Sequence, residues 1–137
     1  MKLYLMGAIS FWHKINKMHK ATEWRKWFRE HPVLSEIFTF FDPTLDFNEN
    51  LKFPSNSIVA QNDVYLRKCN IGIVNTEAIL YSPGTIYEIT TYHNVNKPVF
   101  AFGSKVEQPH IDHCITDYFQ TKEELADYLI CMYNQRM

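Results

Sequence analysis

Short apolar runs alternate with segments of helical spacing along this chain, and that rhythm restricts its fold more than any single motif does. Lys2 to Met6 reads as a strand from its Leu and Tyr content, and Gly7-Ala8-Ile9-Ser10 supplies a tight turn into a helix over about residues 12–31, stopped by His31-Pro32. Glu36 to Phe41 is the next strand, broken by Asp42-Pro43. Ser57 to Lys68 is helical and leads into Asn70-Ile71-Gly72-Ile73-Val74-Asn75, a β-branched run without helical period. Thr85 to Asn94 is a helix that passes through Asn96-Lys97-Pro98 into a strand over 98–102. Beyond Gly103, His113 to Phe119 makes a fifth strand, and Thr121-Lys122-Glu123-Glu124 is a capping box opening a last helix that ends near residue 134. Residues 43–55 form a polar loop longer than a connector requires, as active-site lids are.

Five strands alternating with helices call for right-handed crossovers and a parallel sheet covered on both faces. The expected fold is α/β, a flavodoxin-like or Rossmann-like three-layer sandwich with a five-stranded parallel sheet in the order 2-1-3-4-5. The 137 residues, 46% hydrophobic and 15% aromatic, suit one domain over 1–137 and are too few for two. No apolar stretch reaches the ~18 residues that would suggest a membrane span, and the first residues lack the apolar segment and cleavage site of a signal peptide. A soluble, cytoplasmic protein without a membrane partner is expected. Cys69, Cys114 and Cys131 are odd in number and share no CxxC spacing, which argues against a disulfide framework and a cysteine-only zinc site.

A net charge of −1 gives no overall reason to expect a nucleic-acid partner, yet residues 1–30 hold seven Lys or Arg against two Glu. Lys14, Lys17, Lys20, Arg25, Lys26 and Arg29 fall on the first predicted helix, with Trp12, Ile15, Met18, Trp24, Trp27 and Phe28 as its buried stripe. This reads as a solvated basic face over an aromatic core contact, the alternative being an interaction surface for a membrane or nucleic acid.

The chemistry concentrates in Ser82-Pro83-Gly84-Thr85-Ile86-Tyr87-Glu88-Ile89-Thr90, which places a carboxylate in the first turn of a helix directly after a strand. Open parallel sheets bind ligands at the carboxyl ends of their strands, so Glu88 is expected at a ligand crevice. Gly84 lets the backbone approach a ligand, Ser82 offers a hydroxyl, and the helix N-terminus favours an ionised carboxylate ready to act as a nucleophile. Thr85-x-x-Glu88 is equally the pattern of a capping box, in which the carboxylate only satisfies a backbone N–H. Nucleophilic carboxylates serve sugar carbons and phosphoryl groups, and retaining glycoside chemistry needs a second carboxyl about 5 Å away. Asp63 is the first candidate for that partner and Asp42 the reserve.

Four segments, Lys2-Leu3-Tyr4-Leu5-Met6-Gly7-Ala8-Ile9, Asn62-Asp63 with Ile71-Gly72-Ile73-Val74, Ser82-x-Gly84-x-x-Tyr87-Glu88-Ile89 and Asn96-Lys97-Pro98-Val99, together resemble the nucleoside 2-deoxyribosyltransferase family, including its deoxynucleoside 5′-monophosphate N-glycosidase branch. The resemblance implies that Glu88 attacks the anomeric carbon of deoxyribose, that Asp63 assists proton movement at the leaving base, and that Gly7, Ala8, Ile9 and Ser10 line the base and sugar pocket. Tyr4, Tyr81 and Tyr87 are candidates to meet the base, with burial in the core as the competing assignment. It implies no cofactor, a small-molecule nucleoside or nucleotide substrate, and a homo-oligomer with shared sites.

The departures are specific. Many transferases of the family carry Asp where this chain has Ser82. In the monophosphate branch that position resembles a serine holding the 5′-phosphate, which tilts the substrate toward nucleotides. That branch would place Ser and Arg in the opening turn, where this chain has Ala8 and Ser10. Ile89-Thr90-Thr91-Tyr92 replaces the usual Leu-Gly-Tyr-Ala and loses a small residue for helix–sheet packing. His110-Ile111-Asp112-His113-Cys114 is rich in potential ligands, but its spacing does not guarantee convergence, and solvated side chains with no metal are expected. Two rival functions stand beside the enzyme: a catalytically silent nucleotide-binding module of the same fold, and a basic-helix interaction protein.

Overall fold

The computed structural model describes residues 1–46 and 55–134. Five strands, β1 (Lys2–Met6), β2 (Thr39–Phe41), β3 (Ile71–Asn75), β4 (Val99–Phe102) and β5 (Asp117–Phe119), form one all-parallel sheet in the order β2-β1-β3-β4-β5. This is the flavodoxin-like α/β topology expected from the alternation, and its direction reverses between β1 and β3, where such sheets open a crevice. Register is set by Leu3 opposite Phe40 on one side and Ile71 on the other, with Gly72 opposite Val99.

The period-two geometry of the strands sorts their side chains onto two cores. Leu3, Leu5, Ile71, Ile73, Phe100 and Phe102 face α2 (His19–Glu30), α3 (Leu34–Ile37) and α7 (Lys122–Asn134). Tyr4, Met6, Val74, Val99 and Ala101 point the other way, onto a core shared with α4 (Ser55–Lys68), α5 (Pro83–Asn94) and α6 (Pro109–Asp112). Each fully buried Leu or Ile contributes ~1.5–3 kcal/mol of transfer free energy, so both helical layers are held by hydrophobic burial. The small residue that allows close helix–sheet approach is on the strand: a Cβ at Gly72 would lie 2.6 Å from Met6 Cε and 3.3 Å from the Tyr92 ring. Thr90 and Thr91 turn their hydroxyls back onto the Ile86 and Tyr87 carbonyls of their own helix, so the departure at Thr90 is absorbed locally.

Several boundaries differ from expectation. The first helix is two, α1 (Ser10–Lys14) and α2, because Asn16 takes a left-handed conformation (φ 59°) between them; Ile15, expected in the buried stripe, is 44% exposed. The strand expected over 36–41 begins only at Thr39, since Leu34–Ile37 makes a helical turn that seats Leu34 in the core. The fifth strand likewise shrinks to three residues. The expected capping box forms in part: Thr121 Oγ1 accepts from the Glu124 N–H at 3.2 Å, while the Glu124 carboxylate reaches the N–H of Gln120. Of the expected 43–55 loop, Pro43–Asp46 is a 3-10 turn and 47–54 lies outside the described residues. No helix among the described residues is long and apolar enough to cross a membrane.

Candidate active site

β3 ends at Asn75, a 3-10 turn over Ile79–Tyr81 follows, and α5 starts with Pro83 at its first position, where a missing N–H costs nothing. This earlier start moves Glu88 into the second turn of the helix, not the first. The Thr85–Glu88 capping box is therefore absent; Thr85 is buried in the first turn, with Oγ1 2.7 Å from Ser82 Oγ. Helix-dipole stabilisation fades beyond the first turn, and the expectation of a readily ionised carboxylate is corrected accordingly. Burial pushes the Glu88 carboxyl up from 4.5 to about 7, opposed by the Tyr4 hydroxyl and then by the charge of Arg25. The residue still keeps some exposed surface.

Tyr4 reaches Glu88 from β1. It is completely buried, and its hydroxyl lacks a partner at hydrogen-bonding geometry among the described residues. The hydroxyl is nevertheless close enough to help stabilise the carboxylate. Burial first, and then the charge of Glu88, raise the Tyr4 pKa far above its ordinary value, so the phenol stays a proton donor.

Arg25 was read from sequence as part of a solvated face, and the structure buries it completely. Its guanidinium crosses the carboxyl edge of β1 and donates to the carbonyls of Leu5 (3.3 Å), Gly7 (3.0 Å) and Ala21 (2.7 Å). Burial lowers its pKa to about 10, against the opposing effects of Asp42, Glu88 and Tyr4, so it remains a cation near neutrality. The missed signal is spacing: Ala21, Trp24, Arg25 and Phe28 follow the i, i+3, i+4, i+7 pattern of a buried face.

The remaining candidates separate. Asp42, the reserve acid, is buried at the end of β2, where it accepts from Arg29 Nε (2.8 Å), the Thr44 N–H (2.8 Å) and the Thr44 hydroxyl (2.6 Å), with Arg25 3.7 Å away. Those bonds make it a structural carboxylate. Asp63, on α4, accepts from the hydroxyl of Tyr87 at 2.8 Å and pairs with Arg67 at 3.0 Å. It is thus tied to the immediate neighbour of Glu88. Gly7 is buried, and a Cβ there would meet Trp24 at 3.0 Å and Arg25 at 3.3 Å, so its smallness is spent on packing. The Ala8 side chain packs with Trp12 and Ala21; Ile9 is half-buried beside them and Ser10, exposed, begins α1. A Cβ at Gly84 would meet nothing within 4 Å, leaving open space at the start of α5. Tyr81 is 69% exposed and stacked on Phe11, rings 5.0 Å apart and 12° from parallel.

Two clefts flank the carboxyl ends of the central strands. One of about 320 Å³ is lined by His19, Trp24, Asn75, Glu77 and Lys122 among others, and one of about 290 Å³ by Thr76, Ile79, Tyr81 and Val106. Neither is lined by Glu88, which faces the Tyr4 side of the sheet. Of the first-helix cations, Lys14, Lys17, Lys20 and Lys26 are exposed as expected of a solvated face, Lys20 pairing with Glu77 (3.3 Å), whereas Arg29 pairs with Asp42 and Arg25 is buried.

Among solved structures, the chain is similar to a 2-deoxyribosyltransferase from the psychrotolerant bacterium Bacillus psychrosaccharolyticus, with a TM-score of 0.64 at 19% identity over 93% of this chain and 92% of that one. It is also similar to a conserved protein from Enterococcus faecalis V583, with a TM-score of 0.64 at 11% identity over 100% of this chain and 99% of that one. No protein-family model matches the sequence, and no curated protein does. Likeness at these identities is likeness of fold.

Proposed function

We propose that the chain cleaves or exchanges the N-glycosidic bond of 2′-deoxynucleosides or their 5′-monophosphates, with Glu88 as the nucleophile and no metal or organic cofactor in the reaction. The observation that carries this reading is the setting of Glu88: a carboxyl set among protein groups yet not sealed, facing an unpartnered buried phenol, on the helix that follows the central strand. The fold shared with a 2-deoxyribosyltransferase supports it. A Glu88 oxygen attacks C1′ of the deoxyribose, the C1′–N bond breaks, and its electron pair leaves with the base, which takes up a proton. The resulting glycosyl ester is resolved by water in a hydrolase or by a second base in a transferase.

Each neighbour has a part. The Tyr4 hydroxyl completes a hydrogen bond to the attacking carboxylate and holds its orientation. Arg25 fixes the turn carbonyls of Leu5 and Gly7 and keeps a positive charge behind Glu88, lowering the cost of ionising it. Asp63, once Tyr87 releases it, relays a proton taken from solvent water to the leaving base. Ser82 and the open start of α5 at Gly84 take the 5′-phosphate, as helix N-termini do. The active unit is a homo-oligomer with shared sites, and the protein acts in the cytoplasm on small molecules.

One observation favours a second reading, a silent nucleotide-binding module: the candidate acid Asp63 is already engaged by Tyr87 and Arg67. The test is a panel of deoxynucleosides and deoxynucleotides, with and without an acceptor base, followed by chromatography of released bases. Release that is lost in Glu88→Ala, with the fold retained, is the expected result. Tight binding without release selects the module, and neither binding nor release sinks both.

A further inference from the structure

Away from Glu88, the end of α5 and the turn after α6 bring three ligand-bearing side chains together: His93, His113 and Cys114 each offer an atom, all within 4.8 Å of one another. The ligand-rich 110–114 run is sorted differently in the structure. Asp112 accepts from the Tyr118 hydroxyl at 2.8 Å, and the His110 ring lies against Gln108, so neither joins the group. His93 enters instead from another helix, its ring 4.9 Å from that of His113 and 76° from parallel.

We propose that His93, His113 and Cys114 form a binding site for a borderline-soft divalent transition cation, zinc first, with water in the fourth position. The donor set of two imidazoles and one thiolate is suited to zinc and poorly suited to magnesium or calcium, which take oxygen. Geometry supports the assignment. With Zn–S of about 2.3 Å and Zn–N of about 2.0–2.1 Å, a tetrahedral site has an S···N edge of roughly 3.5 Å; Cys114 Sγ lies 3.7 Å from His113 Nε2. His113 Nδ1 lies 3.2 Å from the Pro109 carbonyl, which it can bond only as Nδ1–H, and that tautomer leaves Nε2 with the free lone pair; Sγ stands almost equally far from Nε2 (3.7 Å) and Nδ1 (3.9 Å), so a small turn of the exposed ring aims Nε2 at the cation. Closing a ligand gap of up to 4.8 Å to a tetrahedral edge of roughly 3.4 Å requires a movement of about 1.4 Å, and His93 is an exposed side chain at a helix end.

Cys114 is buried between Ile111 and Ile115, so its position is fixed by packing before any ion arrives. Binding displaces the thiol proton to solvent and leaves a thiolate on the cation, with both imidazoles neutral. The bound ion would tie the end of α5 to the segment leading into β5. His93 lies five residues beyond Glu88 on the same helix, about 7–8 Å along its axis and well around it, so this site is separate from the proposed glycosidic chemistry.

The test uses the full chain, reduced, metal-free and without an affinity tag, titrated anaerobically with Co2+ and back-titrated with Zn2+. One equivalent of Co2+ with thiolate-to-metal charge-transfer and tetrahedral ligand-field bands is expected, bleached by Zn2+, with Kd for Zn2+ of about 1 μM or tighter. Cys114→Ser should abolish the charge-transfer band and His93→Ala should weaken binding at least tenfold, while Cys131→Ser, at an exposed cysteine, should change neither. His93→Ala alters an exposed side chain, so its effect is read in a folded protein, as the far-UV spectrum will verify. Absence of 1:1 binding, a band that survives Cys114→Ser, or wild-type affinity in His93→Ala would each overturn the proposal.

Discussion

Glu88 is held where its charge is costly, and its pH behaviour follows from that. Its folded pKa of about 7 lies above the ordinary 4.5, so the folded chain binds this proton more tightly than the unfolded chain does. The stability that protonation brings is fully present below 4.5 and is lost as pH rises through 7. With some surface still exposed, the loss should be on the order of 2–3 kcal/mol. Glu88→Gln has no such proton, so urea melts at pH 5 and pH 8 should show the variant gaining on the parent by that amount at the higher pH; an unchanged difference would mean the carboxyl is solvated. For base release, kcat/KM should fall about tenfold per pH unit below an acid limb near 7, because only the carboxylate attacks. Tyr4→Phe removes the phenol that supports ionisation and should move that limb upward, which a pH profile of the two proteins will resolve.

At the level of elements, α5 illustrates what sequence could and could not reveal. The β-branched run of β3 followed by a helical segment places the Glu88 carboxylate beyond a central strand, because strand composition and helical spacing are local signals. The turn on which Glu88 sits, and hence its pKa, depended on whether the helix began at Pro83 or Thr85, a choice local propensity does not fix. Arg25 was illegible for a related reason: a cation on a buried stripe is stable only if distant carbonyls and Asp42 wait for it, and those partners come from β1 and β2. Removing one member of such a buried group leaves the other uncompensated. Asp42→Ala should therefore cost about 3–5 kcal/mol in denaturant unfolding, well beyond a typical surface substitution. The α4–α5 contact carries a gentler test. Tyr87→Phe frees one Asp63 oxygen and should shift stability by no more than about 1 kcal/mol. If Asp63 is the acid for the leaving base, this change should hold or raise kcat, while Asp63→Asn should lower it at least tenfold; equal activity in Asp63→Asn would remove Asp63 from the mechanism.

Across the whole molecule, alternation and crossover handedness require a parallel sheet covered on both faces, and the observed order β2-β1-β3-β4-β5 is the flavodoxin-like choice among the doubly wound orders that meet this requirement. The edge elements were least legible: β2 and β5 are three residues each and take their register from central neighbours. Assembly is the scale on which the sequence is silent and the surface informative. Ile58 and Val59 on α4 stand 43% and 61% exposed, five and four residues before Asp63 on the same helix. Aliphatic side chains in that position are better buried against a second copy, and covering them would bring a neighbouring chain beside the Glu88–Asp63 side of the sheet. Sedimentation equilibrium should therefore return a mass that is a multiple of 16.3 kDa, and replacing Ile58 and Val59 together by Glu should return the single-chain mass. If sites are shared, that dissociated variant should also lose base release while keeping the parent's far-UV spectrum. A parent that sediments as a single chain at the concentrations where it is active would remove the shared-site idea and leave each Glu88 working alone.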